Sequence, residues 1–241
     1  MGGAASGRGN AGLPGSGGFD IPHGMKPAPS SRSTCSRCGT CCRKGGPALH
    51  QEDRGRVEQG AIHTRHLYTI RRGEWATDPV QGGLVRVDGD IIKIKGRGES
   101  WACRFLDDRT GACRIYADRP LECRLLECRD TARLEQTYRR GRLSRRDLLA
   151  DVKGLWELIE DHERRCDVDG LRRLLERRPG RGRAEVESEL AGMVRYDAEI
   201  RRLMVAQGGL EAEMLDFLLG RPVEIVLRLI ERGTASSPGS R

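Results

Sequence analysis

Cys35-Ser36-Arg37-Cys38-Gly39-Thr40-Cys41-Cys42 places four sulfurs in eight residues, and Cys103, Cys113, Cys123 and Cys128 follow; only Cys166 stands apart. Thiolate ligation of zinc or iron needs sulfurs about 2.3 Å from the metal in a tetrahedral arrangement. A Cys-x-x-Cys pair in a tight turn delivers two of them, and Gly39 supplies the backbone freedom such a turn requires. Three ligands in one short loop with a fourth from afar is a way to hold a cubane cluster. Cys41 and Cys42 are neighbours, so their side chains are expected to diverge: one joins Cys35 and Cys38, while the other faces a second site or packs with Cys103 and Cys113. Eight sulfurs allow two four-ligand sites; equally, some are open-site ligands or buried thiols.

The setting favours metal over disulfides. The first thirty residues, rich in Gly, Ser and Pro, contain no apolar run that could serve as a signal-peptide core, and no stretch approaches the roughly 20 apolar residues of a membrane span. The protein is therefore read as cytoplasmic and free of membrane, where thiols stay reduced. The formal net charge is +8, and all but five of the 43 Lys and Arg are Arg. These arginines are interspersed with acids, as in Glu163-Arg164-Arg165, which argues against a nucleic-acid surface.

The elements that position the sulfurs are short. Residues 1–33 cannot bury enough apolar surface to offset ordering and read as a disordered arm; the tail 233–241 reads the same way. Residues 34–130 form the cysteine domain. In it, Leu84–Val87 and Ile91–Ile94 are expected to pair as a hairpin around Asp88-Gly89-Asp90. A second hairpin, 101–105 with 112–115, would put Trp101, Cys103 and Phe105 on one face and bring Cys103 towards Cys113. Residues 51–59 predict a short helix ending at Gly60, and Pro120 suits the first helical position, which places Cys123 in the first turns. From 131 to 232 the pattern turns helical. Ser144 and Asp147 form a capping-box variant ahead of apolar residues at steps of three and four, predicting one helix over 144–165. Further helices are expected at 168–177, 184–206 and 222–231, with the stripes Leu148–Ile159 and Val186–Leu203 packed as core against the cysteine domain. The fold class is α+β: a small, irregular, metal-organised cysteine domain with short hairpins, followed by a helical bundle.

Cys-x-x-Cys-x-x-Cys-Cys, then Cys103-Arg-Phe-Leu and Cys113-Arg-Ile-Tyr116-Ala-Asp-Arg119-Pro120-Leu-Glu-Cys123-Arg124, resembles the YkgJ-type cysteine-cluster family of zinc- or iron-chelating domains, which includes a domain of flagellin lysine N-methylases. The resemblance covers about residues 35–130. It implies that Cys35, Cys38, Cys41, Cys42, Cys103, Cys113, Cys123 and Cys128 are the metal ligands. The first functional reading is a protein holding an iron–sulfur cluster, such as [4Fe-4S], for redox or enzyme chemistry on an unknown substrate. The second is a zinc-stabilised interaction module without catalysis and with an unknown protein partner. The third is a lysine N-methylase-like enzyme, although the chain lacks a Gly-x-Gly-x-x-Gly loop.

Other candidates carry competing readings. His50 is either a ligand or hydrogen-bond donor near the metal, or a helix-entry residue. His63 and His66 could meet on one helix face, but two exposed histidines are commoner than a metal pair. Arg119, with Tyr116 between the cysteines, either balances thiolate charge or pairs with Asp118 or Glu122. Lys93, Lys95 and Arg97 read as a solvated strand end, and Cys166 as a single thiol outside the ligand set.

Overall fold

The computed structural model describes residues 35–98, 100–128, 130–180 and 182–235. The expected arm 1–33 and most of the expected tail lie outside them. Residues from 35 onward belong to one compact unit. Two short helices open it, α1 (Thr40–Arg43) and α2 (Arg54–Glu58), the latter preceded by a single 3-10 turn at Gln51–Asp53 and stopped at Gly60. Four strands follow: β1 (Leu67–Ile70), β2 (Trp75–Thr77), β3 (Leu84–Arg86) and β4 (Ile91–Ile94).

The pairing differs from the expected hairpin. β4 pairs with β1 rather than β3, and β3 pairs with β2, both antiparallel. Leu67 faces Ile94 and Trp75 faces Arg86 in one continuous register, so the four strands are two stretches of a single long ribbon. Between them, the Gly73 amide donates to the Val87 carbonyl and the Val87 amide to that of Glu74. The ribbon turns at 78–83, where Asp78 accepts from the amides of Val80 and Gln81. The reason for the correction lies in burial: Ile91, Ile92 and Ile94 are buried, whereas Leu84 is half exposed. The apolar β4 takes the equally buried β1, and residues 88–90 become a loop instead of a turn.

The second expected hairpin survives as one isolated bridge, Leu106 with Cys113, beside which the Arg114 amide donates to the Phe105 carbonyl, whereas Cys103 bridges instead to Gly96. Cys103 and Phe105 turn inward, but Trp101 is 75% exposed, so period-two alternation fails at the start of this segment. Helices α3 (Leu121–Leu125) and α4 (Ala132–Thr137) complete the cysteine-bearing half, with Pro120 one residue ahead of α3.

The second half is helical: α5 (Arg145–Leu149), α6 (Leu155–Arg165), α7 (Val168–Arg177), α8 (Arg183–Ala206), α9 (Leu215–Leu218) and α10 (Val223–Ala235). The single helix expected over 144–165 is two. The Ser144–Asp147 capping box is present, but the chain leaves helical geometry after Leu149 and resumes after Gly154, whose φ is +79°. Val152, read as part of the apolar stripe, is 45% exposed. α10 continues beyond the expected tail boundary at 233 to Ala235.

One hydrophobic core joins the halves: Leu49, Ile62, Leu67, Ile92, Ile94, Cys103 and Phe105 pack with Ile159, Met204, Phe217 and Leu218. A second cluster ties Val168, Leu171 and Leu174 to Val186, Leu190, Val223 and Val226. The stripe of α6 therefore packs as expected, whereas Val186 and Leu190 of α8 face α7 and α10. Arg145, almost fully buried, pins the halves together. It donates to both carboxylate oxygens of Asp90 (2.7 and 3.0 Å), to Glu163 (2.8 Å) and to the Leu218 carbonyl (2.8 Å). Among the described residues, no helix is long and apolar enough to cross a membrane.

Candidate metal centre

Each sulfur is set by a different piece of this frame. Gly39, at φ +73°, turns the chain into α1; a Cβ there would stand 3.1 Å from a Leu106 methyl and 3.3 Å from the Gly111 carbonyl. Arg37, before it, is left-handed too, at φ +55°, and its amide donates to Cys35 Sγ at 3.4 Å. Cys41 and Cys42 lie in α1 with their sulfurs 4.0 Å apart. The expected divergence is thus wrong. Successive side chains on a helical turn are about 100° apart rather than opposed as on a strand, so neighbouring sulfurs can approach.

The later cysteines come to this loop. The Cys103 amide donates to the Cys42 carbonyl at 2.7 Å, and the bridge at Leu106 brings Cys113 beside it. Cys123 is delivered by α3, and two carboxylates fix that helix. Asp53, fully buried, accepts from the Leu121 amide at the start of α3. Glu122 accepts from the Ala48 amide (2.8 Å) and faces His50 Nε2 (3.3 Å). Cys128 sits with its sulfur 3.6 Å from the Ser36 hydroxyl, in the early loop. The two cysteine stretches therefore meet.

Charge shows how closely they are gathered. Burial pushes the Cys123 thiol up, and the thiols of Cys103, Cys41 and Cys113 push it further. Cys103 is raised by burial and by Cys113 and Cys41; Cys113 is raised by burial and by Cys35 and Cys41, with Arg119 opposing. In the Cys41–Cys42 pair, the contact between the sulfurs and burial push the Cys42 thiol up, while that contact draws Cys41 down to about 6, aided by Arg119. Six sulfurs, those of Cys35, Cys41, Cys42, Cys103, Cys113 and Cys123, thus form one interacting set. Cys38 and Cys128 lie exposed at its edge, Cys38 drawn down to about 7 by the Thr40 hydroxyl. Among the described residues, no three Cys, His, Asp or Glu side chains stand drawn into a single-ion site.

The donor set nevertheless fits a thiophilic metal: it is all sulfur, free of disulfides, and met by a cation. Arg119 lies over the Tyr116 ring, its Nε buried without a hydrogen-bond partner, and its charge reaches Cys41 and Cys113. Neither Asp118 nor Glu122 forms an ion pair with it. A metal here would replace protons on the buried thiols, and its charge would offset their mutual repulsion.

His50, His63 and His66 stand outside the sulfur set. His50 is buried; its Nδ1 meets the Arg140 carbonyl at 2.7 Å and its Nε2 meets Glu122. His50 also stands at the N-terminal end of the turn at 51–53, so the helix-entry reading describes it. Burial opposes its protonation, but Glu122 and the Arg140 carbonyl outweigh that and raise it. His63 and His66 stack edge to face at 6.3 Å, and His66 packs on Phe105, held down to about 4 by burial and by Arg104 and Arg65. Cys166 is buried in the second core, its thiol facing the Met193 carbonyl.

Sequence reasoning missed Asp53, Glu122 and Lys93. Lys93 is half-buried rather than a fully solvated strand end: burial lowers it, and it lies within electrostatic reach of Glu122 and Cys123. A carboxylate in the first turn after Pro120 was the visible signal for Glu122; Asp53 acts on an amide 68 residues away and leaves none. No curated protein and no solved structure gives a match to the chain. The gathered cysteines and the elements that carry them fall within residues 34–141, and that segment matches the model of the CxxCxxCC family, described as a putative zinc- or iron-chelating domain.

Proposed function

We propose that the sulfur set holds an iron–sulfur cluster and that the protein serves redox or enzyme chemistry, in the cytoplasm, on a substrate still to be identified. What carries this reading is the donor chemistry: six thiols from separate stretches of chain lie within electrostatic reach of one another, while the nearby Glu122 carboxylate is engaged by the Ala48 amide. Thiolate is the ligand of iron–sulfur clusters, and six is more than one tetrahedral zinc ion takes. Arg119 supplies positive charge beside an anionic assembly. The cluster would supply one-electron chemistry; the chain supplies ligands, a buried wall at Cys103 and Phe105, and the cation.

One distance favours a second reading. The 4.0 Å between Cys41 and Cys42 sulfurs is near the edge, about 3.8 Å, of a tetrahedron with 2.3 Å metal–sulfur bonds. That is the spacing of two ligands on one zinc ion, which is where the reading as a zinc-stabilised module starts. Anaerobic purification followed by iron, acid-labile sulfide and zinc analysis, with a visible spectrum, separates the two. Brown protein with matching iron and sulfide is expected; colourless protein with stoichiometric zinc would overturn the cluster reading.

A further inference from the structure

Tyr116 is held between two arginines. The guanidinium of Arg37 lies 3.9 Å from the ring centroid and that of Arg119 lies 4.0 Å from it. The three residues come from different places: Arg37 from the turn between Cys35 and Cys38, Tyr116 and Arg119 from the segment between Cys113 and Cys123. We propose that this stack is a latch: it clamps the early cysteine loop onto the late one and keeps a fixed cation against the sulfurs, so that it governs how slowly bound metal leaves. The inference rests on the metal-binding reading above, not on the choice of metal.

Three observations support it. Arg37 is the one non-glycine residue at positive φ among those described, a backbone cost that a compensating contact must outweigh. In that conformation its amide points at Cys35 Sγ and its side chain reaches Tyr116, so one residue orients a ligand candidate and spans the two stretches. Arg119 has its Nε buried without a hydrogen-bond partner among the described residues, and its charge acts on Cys41 and Cys113. Arg37 and Arg119 are positioning residues, not ligands.

The test uses the full chain loaded anaerobically with Co²⁺, whose thiolate charge-transfer absorption reports the ligands, and follows its loss into excess EDTA. Y116L and R119Q are expected to lose Co²⁺ about tenfold faster than wild type, at unchanged stoichiometry and band position. Tenfold corresponds to about 1.4 kcal/mol, on the scale of a pair of partly exposed cation–π contacts. Y116F, which keeps the ring, and R119K, which keeps the charge, are expected to stay within about threefold of wild type. Release rates for folded Y116L and R119Q equal to wild type would overturn the latch, as would R119K behaving like R119Q. A Y116L protein that fails to fold leaves R119Q and R119K to decide. Wild type that takes up neither Co²⁺ nor iron would overturn the metal-binding reading itself, and the latch with it.

Discussion

Replacing Arg145 by methionine tests how the two halves are joined. The change removes four charge-assisted hydrogen bonds, two to Asp90, one to Glu163 and one to the Leu218 carbonyl, while keeping an apolar stem of similar length. Breaking a buried ion pair by deleting one partner costs about 3–5 kcal/mol, because the other charge stays behind. Here the abandoned carboxylates are not fully dry: Asp90 is 15% and Glu163 32% exposed, so water recovers part of the loss. The orphaned Leu218 carbonyl adds back about 1 kcal/mol. The expected cost is therefore about 3 kcal/mol. With a urea m-value of about 2 kcal/mol/M for a chain of this size, the midpoint falls by about 1.5 M. R145K should fall between, since an ammonium keeps the charge but loses the two-pronged grip on Asp90. Urea titration followed by far-ultraviolet circular dichroism measures all three proteins. A midpoint shift below about 0.3 M for R145M would refute the claim that this arginine ties the ribbon to the helices.

Four further outcomes are expected. G46A should melt at least about 3 °C lower than wild type, because its Cβ would sit 2.1 Å from the Ile94 carbonyl oxygen and overpacking of that kind costs about 1–3 kcal/mol; a thermal scan checks it. His162 is buried and lowered by that burial, while its Nε2 lies 2.7 Å from Asp197. The unfolded chain takes up the proton first, so stability is full above about pH 6.5 and declines below it; H162Q should flatten this limb in urea midpoints measured against pH. Asp197, lowered to about 2 by His162 and Arg201 against the effect of burial, adds stability that is full above about pH 4 and lost as pH falls towards 2, a second limb that D197N should remove. C41S and C123S should lose most bound metal by elemental analysis while C166S retains it, since Cys166 lies in the second core, apart from the sulfur set.

Some of this was legible from residue order alone. The capping box at Ser144, the span of α7, the length of α8 and the gathering of two cysteine stretches all follow from local patterns or from ligand spacing. What escaped was non-local. Strand β4 was recognisable, but its partner is decided by which strand shares its burial, and β1 lies more than twenty residues upstream. The apolar period through 148–159 continues across Gly154, yet the left-handed φ there breaks the helix whatever the period says. Adjacency alone suggests that Cys41 and Cys42 diverge, but Gly39 turns the chain into a helix in which neighbouring sulfurs come together. Asp53 and Arg145 look like any solvated charge until the amide and the carboxylates they serve are brought to them from distant positions.

The buried cluster that runs from Leu49 and Cys103 through to Phe217 and Leu218 has a thermodynamic consequence. Because neither half of the described residues can be exposed without stripping the other, whatever binds tightly at the sulfurs adds its free energy to that folded unit as a whole by mass action. Depleting whatever binds there would then be felt as softening in α9, more than eighty residues beyond Cys128. Such a protein reports its occupancy through its own persistence.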